Sequence, residues 1–155
     1  MEGPHRSGRH RRVREAAKAG YAPSPAAPSV VGVLLDSDVV IEVLRGKAVI
    51  VGKLRALEAA GVPTYCSAVT WSEILAGIRR GEEALTEAFL AARGDVVIDA
   101  KAGRRAGGYL ARYSRSHGVE IADALVAAAA ATTGLNLWTL NRRHYPMPDV
   151  VFFEP

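Results

Sequence analysis

Four side chains with oxygen donors, Asp36, Glu73, Asp123 and Asn141, lie far apart along the chain, and Asp38 follows the first of them by two residues. If folding gathered three carboxylates into one pocket, mutual repulsion would force at least one to take up a proton. A divalent cation removes that cost. Mg²⁺ suits such donors, because it prefers an octahedral oxygen shell completed by water and substrate phosphate. Zn²⁺ suits them poorly in a chain with one cysteine, Cys66, and no histidine cluster. A hard-cation centre activates water and offsets charge building up on a phosphodiester, as one ion or as a pair ~3.5–4 Å apart.

Each acid also has a purely structural explanation. Thr70-Trp71-Ser72-Glu73 matches a capping box. Asp36 or Asp38 fits a helix N-cap. Asp123 complements the positive end of a helix, worth ~0.3–1 kcal/mol. What joins the acids is their common place relative to the elements that carry them.

Those elements read as alternating strands and helices. Val30 to Leu35 is a short apolar run of the kind buried on both faces of a sheet, and Asp36-Ser37-Asp38 then opens a helix to about Arg45. A second helix covers about Ala48 to Ala60, and a strand about Val62 to Cys66. Helices follow over about Thr70–Arg80 and Glu82–Ala92, then a strand over Asp95–Ile98. Further helices span about Lys101–His117 and Ile121–Thr132, with a fourth strand over Leu135–Leu140 and a short fifth over Val150–Phe153. This order predicts an α/β fold, three layers with a parallel sheet of four to five strands between helices. In such a sheet, sites form beyond the carboxyl ends of the strands. Asp36, Glu73, Asp123 and Asn141 all fall there.

Composition agrees. The 155 residues are 49% hydrophobic, which excludes a wholly disordered chain and suits one domain. The net charge of +4 is uneven: residues 1–29 hold six basic side chains against two acids, whereas 30–155 hold fourteen of each. The expected organisation is a disordered, basic and Pro/Ala-rich tail over 1–29 and one domain over 30–155. No apolar run is long enough to span a membrane, no secretory signal is expected, and a single cysteine fits a reducing cytoplasm. No Gly-rich phosphate cradle opens a helix, so no nucleotide cofactor is expected.

The stretches VLLDSDVVIEVLRG, SAVTWSEILAGI, IADALVAAAAA and LWTLNRRHYPMPDV, in this order, resemble the PIN-domain family and, within it, the VapC-type ribonuclease toxins of toxin–antitoxin pairs. The resemblance covers about residues 32–155 and implies a parallel sheet flanked by helices. It implies that Asp36, Glu73 and Asp123 bind Mg²⁺ or Mn²⁺, that Asp36 is the central ligand, and that Glu73 helps deprotonate the attacking water. RNA would be the substrate and the product would carry a 5′-phosphate. A VapB-like antitoxin would cover the acidic cleft, often with an Arg, and the toxin would form a homodimer.

Asn141 departs from the aspartate many PIN domains place there. An amide can bond a metal-held water but adds no charge, which favours one ion. Ser37, Asp38 and Thr139 are expected to support the acids, and Arg142, Arg143 and His144 to meet RNA phosphates. Trp71, Trp138 and Met147 read as packing, and Asp149 as structural. Two other functions fit parts of the pattern: a PIN-like module that binds RNA or protein without cutting, motivated by Asn141, and a haloacid-dehalogenase-like phosphatase using Asp36 and Asp38.

Overall fold

A computed structural model describes residues 31–155. The expected tail over 1–29, its boundary with the domain, and the start of the first strand at Val30 lie outside the described residues. Four strands, β1 (Val33–Leu35), β2 (Thr64–Ser67), β3 (Gly94–Val96) and β4 (Asn136–Trp138), form one parallel sheet in the order β3-β2-β1-β4. The helices are α1 (Ser37–Leu44), α2 (Ala48–Ala59), α3 (Ala68–Ala76), α4 (Glu83–Ala91), α5 (Ala100–His117) and α6 (Ile121–Thr133).

The strand side chains alternate between two cores, as a pleated sheet requires. Val33, Leu35, Cys66 and Trp138 face one layer, with Val39, Val40, Ile50, Leu54, Ile74 and Leu90 of α1–α4. Leu34, Val96 and Leu137 face the other, with Ala102, Ala106 and Tyr109 of α5 and Ala124 to Ala130 of α6. Apolar residues on every side mark α6 as a buried helix, and its alanines admit close neighbours. The result is the three-layer architecture expected. Burial pushes the Cys66 thiol up to about 12, so it packs and does not react.

Two expectations shift. The helix expected from Thr70 begins at Ala68, because Ser67 ends β2 and its hydroxyl accepts the Thr70 N–H at 3.3 Å. The proposed fifth strand is a single bridge, Phe152 to Leu137, flanked by Leu137 N–H to Val151 O and Phe153 N–H to Leu137 O. One paired residue is too little for a strand. It nonetheless brings Phe153 against Trp138, ring centroids 5.4 Å apart.

Gly118 closes α5 at φ 65°, a left-handed turn that glycine makes without strain. Val119 is buried and Glu120 caps α6, so two residues link that turn to the α6 first turn. Among the described residues no helix is long and apolar enough to cross a membrane.

Candidate active site

Beyond the carboxyl end of β1, a cavity of about 160 Å³ is lined by Asp36, Ser37 and Asp38 of the β1–α1 junction and by Glu73 of α3. Asp123 of α6 and Asn141, His144 and Tyr145 after β4 complete its polar lining, and Val69, Ala122 and Val126 its apolar part. The four residues picked out for chemistry therefore share one cleft. Ser37, Asp38 and His144 line it too.

Asp36 is the most enclosed, only 8% exposed. It is the N-cap of α1. One oxygen, Oδ1, accepts the Ser37 N–H at 2.9 Å, and Oδ2 accepts the Tyr145 hydroxyl at 2.7 Å. Ser37 thus supports the acid through its backbone, not its hydroxyl. Desolvation raises the Asp36 carboxyl above its ordinary range and the Asp123 charge adds to this, while the bonds from Tyr145 and Ser37 pull it down.

Asp38 occupies the first turn and braces the site. Its Oδ2 accepts the Thr139 hydroxyl at 3.2 Å and the Leu140 N–H at 2.9 Å, tying the end of β4 to α1. Burial, then the Asp36 charge, pushes its carboxyl up to about 6. Its other oxygen is buried with no hydrogen-bond partner among the described residues. Thr139 also accepts the Asn141 N–H at 3.1 Å, so it fixes the loop from behind and does not line the cavity.

Glu73 belongs to the second turn of α3, not the first. The Ser67 cap satisfies the amide that the capping-box reading assigned to Glu73. Its carboxylate is exposed at the cleft and takes no hydrogen bond among the described residues. Asp123 divides its oxygens. Oδ2 accepts the Glu120 N–H at 3.1 Å in a capping box, and Oδ1 lies 3.5 Å from His144 Nδ1. Asp123 thus caps α6 with one oxygen and faces the cleft with the other.

The segment after β4 gives both arginines partners within the chain. Arg142 bonds Glu154 at 2.7 Å and the Phe153 carbonyl at 3.2 Å, and lies over the Phe152 ring, which pins the C-terminal segment. Arg143 donates from Nε to Asn141 Oδ1 at 3.0 Å. Neither lines the cleft. Because Asn141 Oδ1 accepts from Arg143, its amide N–H faces His144 Nε2 at 3.1 Å, which leaves the imidazole proton on Nδ1, toward Asp123. Asp149 is structural as read, bonding Arg105 and Tyr109.

Tyr145 escaped the sequence reading. It is 4% exposed and its hydroxyl reaches an acid 109 residues earlier. The only signal was a tyrosine in the polar segment that ends in Pro146, and no local spacing reveals that reach.

The donors fit a hard cation. Asp36, Glu73, Asp123 and Asn141 offer oxygen, Asp36 is a buried carboxylate facing a second negative charge, and a buried Asp38 oxygen lacks a partner. Among the described residues no three His, Cys, Asp or Glu side chains close into a ready-made metal cage. The oxygen chemistry of the donors is what suits Mg²⁺, which would complete its shell with water and substrate oxygens. In the phosphatase reading Asp38 would serve as a free acid/base, but two donors tether it here.

The PIN domain family model matches residues 33–149. The chain is 34% identical over 119 residues to Ribonuclease VapC19 of Mycobacterium tuberculosis, covering 76% of this chain and 95% of that protein. It is 36% identical over 116 residues to Ribonuclease VapC10 of the same species, covering 74% and 86%. Among solved structures it resembles a toxin–antitoxin complex from Klebsiella pneumoniae, with a TM-score of 0.62 and 23% identity over 77% of this chain and 96% of that one.

Proposed function

The chain belongs to the PIN-domain family, among its VapC-type toxins, and from that premise we propose that it is an Mg²⁺- or Mn²⁺-dependent endoribonuclease. The observation that carries the reading is the single cleft holding Asp36, Glu73, Asp123 and Asn141 at the carboxyl end of the sheet. Relatives named as ribonucleases support the substrate class.

Asp36, Asp123 and Glu73 would hold the ion. When bound, a divalent cation lowers the pKa of water and offsets charge on the attacked phosphate. The chain supplies the rest. Ser37 N–H and Tyr145 O–H leave one lone pair on each Asp36 oxygen, which fixes the direction in which the carboxylate presents itself. Glu73, free of any other hydrogen bond among the described residues, accepts a proton from the attacking water. Asn141, held between Arg143 and His144, orients water through its amide. Attack by water, not by the ribose 2′-hydroxyl, leaves a 5′-phosphate on the downstream product.

A VapB-like antitoxin completes the proposal. A planar, bidentate Arg from its chain suits the carboxylate cleft, and the solved toxin–antitoxin neighbour supports a partner of this kind. A homodimer and a cytoplasmic setting belong to the same reading.

The test is cleavage of a broad RNA panel by purified, antitoxin-free chain with Mg²⁺, Mn²⁺ or EDTA. Cleavage is expected only with metal, with 5′-phosphate ends, and Asp36→Asn and Glu73→Gln each slow it ~10²–10⁴-fold. Undiminished cleavage in EDTA contradicts the proposal. RNA bound but never cut would favour the non-catalytic module that Asn141 motivates.

A further inference from the structure

The acidic cleft poses an electrostatic problem for an RNA substrate. Outside α5, residues 30–155 carry nine basic side chains against fourteen acids, so that part of the domain repels a polyanion. Affinity for RNA comes mainly from neutralised phosphates. Within residues 30–155 the offsetting cations lie on α5. Its eighteen residues hold Lys101, Arg104, Arg105, Arg112 and Arg115 and no acid.

At 3.6 residues per turn, these five fall within about 100° of the helix circumference, away from the buried Ala102, Ala106 and Tyr109. The stripe runs ~21 Å along the axis. Arg105 is engaged by Asp149. Lys101, Arg104, Arg112 and Arg115 are exposed and form no salt bridge among the described residues.

Helix stability accounts for Arg115, which lies in the last turn and suits the dipole, but not for the rest of the stripe. Lys101 sits in the first turn, where a cation opposes the helix dipole. Gly108 interrupts the stripe although a Cβ there would meet nothing within 4 Å, so packing does not require the weak helix former. Local rules broken without a packing gain mark functional surfaces. At its far end the stripe reaches Gly118, and Val119 and Glu120 alone separate that turn from α6, whose first turn gives Ala122 and Asp123 to the cleft.

We propose that this face of α5 docks the sugar-phosphate backbone of single-stranded RNA and leads it toward the acidic cleft. The inference rests on the ribonuclease reading above. It assigns sequence-independent affinity to α5 and the chemistry to the cleft.

The experiment uses the full chain carrying Asp36→Asn, so that the probe survives, with a short fluorescein-labelled single-stranded RNA and no divalent metal. Binding is read by anisotropy across ~50–200 mM KCl. Residues 1–29 contribute equally to every variant, so differences isolate α5. Arg104→Gln/Arg112→Gln weakens binding and lowers the slope of log affinity against log salt by ~1.4, about 0.7 for each phosphate no longer neutralised. Lys53→Gln/Arg55→Gln on α2, an equal change in net charge, leaves slope and affinity unchanged. Gln is a good helix former and both pairs lie on helices, so melting temperatures confirm folding. Equal RNA binding by the α5 variant and its parent overturns the docking proposal but leaves the ribonuclease reading standing. Retained RNA binding by the α5 variant together with lost capture of a poly-glutamate peptide also overturns it and makes α5 a protein-docking face. A parent that binds no RNA, in a chain that cuts none with metal, removes both.

Discussion

Tyr145→Phe removes one oxygen. The ring stays among its buried neighbours, while Asp36 Oδ2 loses a donor 2.7 Å away. A hydrogen bond to a charged group contributes ~1.5–3 kcal/mol, against about 1 kcal/mol for a neutral pair. Desolvation and the Asp123 charge already raise the Asp36 carboxyl, so the folded chain holds this proton more readily than the unfolded one. Stability from that source is present at low pH and is lost as pH rises through the raised value. Losing the Tyr145 donor raises the carboxyl further. The penalty is therefore ~1.5–3 kcal/mol where Asp36 is ionised and about 1 kcal/mol where it is protonated. Urea denaturation of both proteins in EDTA, at about pH 8 and at about pH 3, below the ordinary aspartate value, reads the difference. An equal penalty at both pH values, or none, refutes the view that Tyr145 stabilises the charged form of Asp36.

Three further outcomes follow from the same geometry. Asp38, half-buried and raised to about 6, destabilises the fold progressively as pH climbs from about 4 to 6. Asp38→Asn keeps the acceptor for Thr139 and Leu140, so it gains ~1–2 kcal/mol at neutral pH, after discounting for solvent, and flattens the stability profile in denaturant titrations. Gly107→Ala on α5 meets open space and gains ~0.5–1 kcal/mol, raising the melting temperature in calorimetry. Asn141→Asp adds a carboxylate to the four of Asp36, Asp38, Glu73 and Asp123 in the cleft, and Mn²⁺ titration calorimetry changes from one bound ion to two.

Much of the site was legible because strand ends are legible. Apolar runs that stop at Asp36, Asp99 and Asn141 mark where a parallel sheet turns into helices, and that end is where Asp36, Glu73, Asp123 and Asn141 meet. Periodicity also separated the buried Trp138 from the polar loop beside it. Reach was not legible. Whether Thr70 or Ser67 caps α3 depends on where β2 ends, one turn of register that decides whether Glu73 is spent on capping or left for the cleft. Arg142 looked available for phosphate until the chain end folded back to give it Glu154 and the Phe153 carbonyl. The Tyr145 bond to Asp36 joins the two ends of the domain, and only tertiary structure creates it.

Calorimetric titration of Mn²⁺ into metal-free, antitoxin-free protein tests whether these carboxylates form a cation centre. One ion should bind to the unaltered chain, and Asp36→Asn should lose at least ~10-fold in affinity while keeping its fold. Equal binding to both proteins, or none to either, would contradict the account.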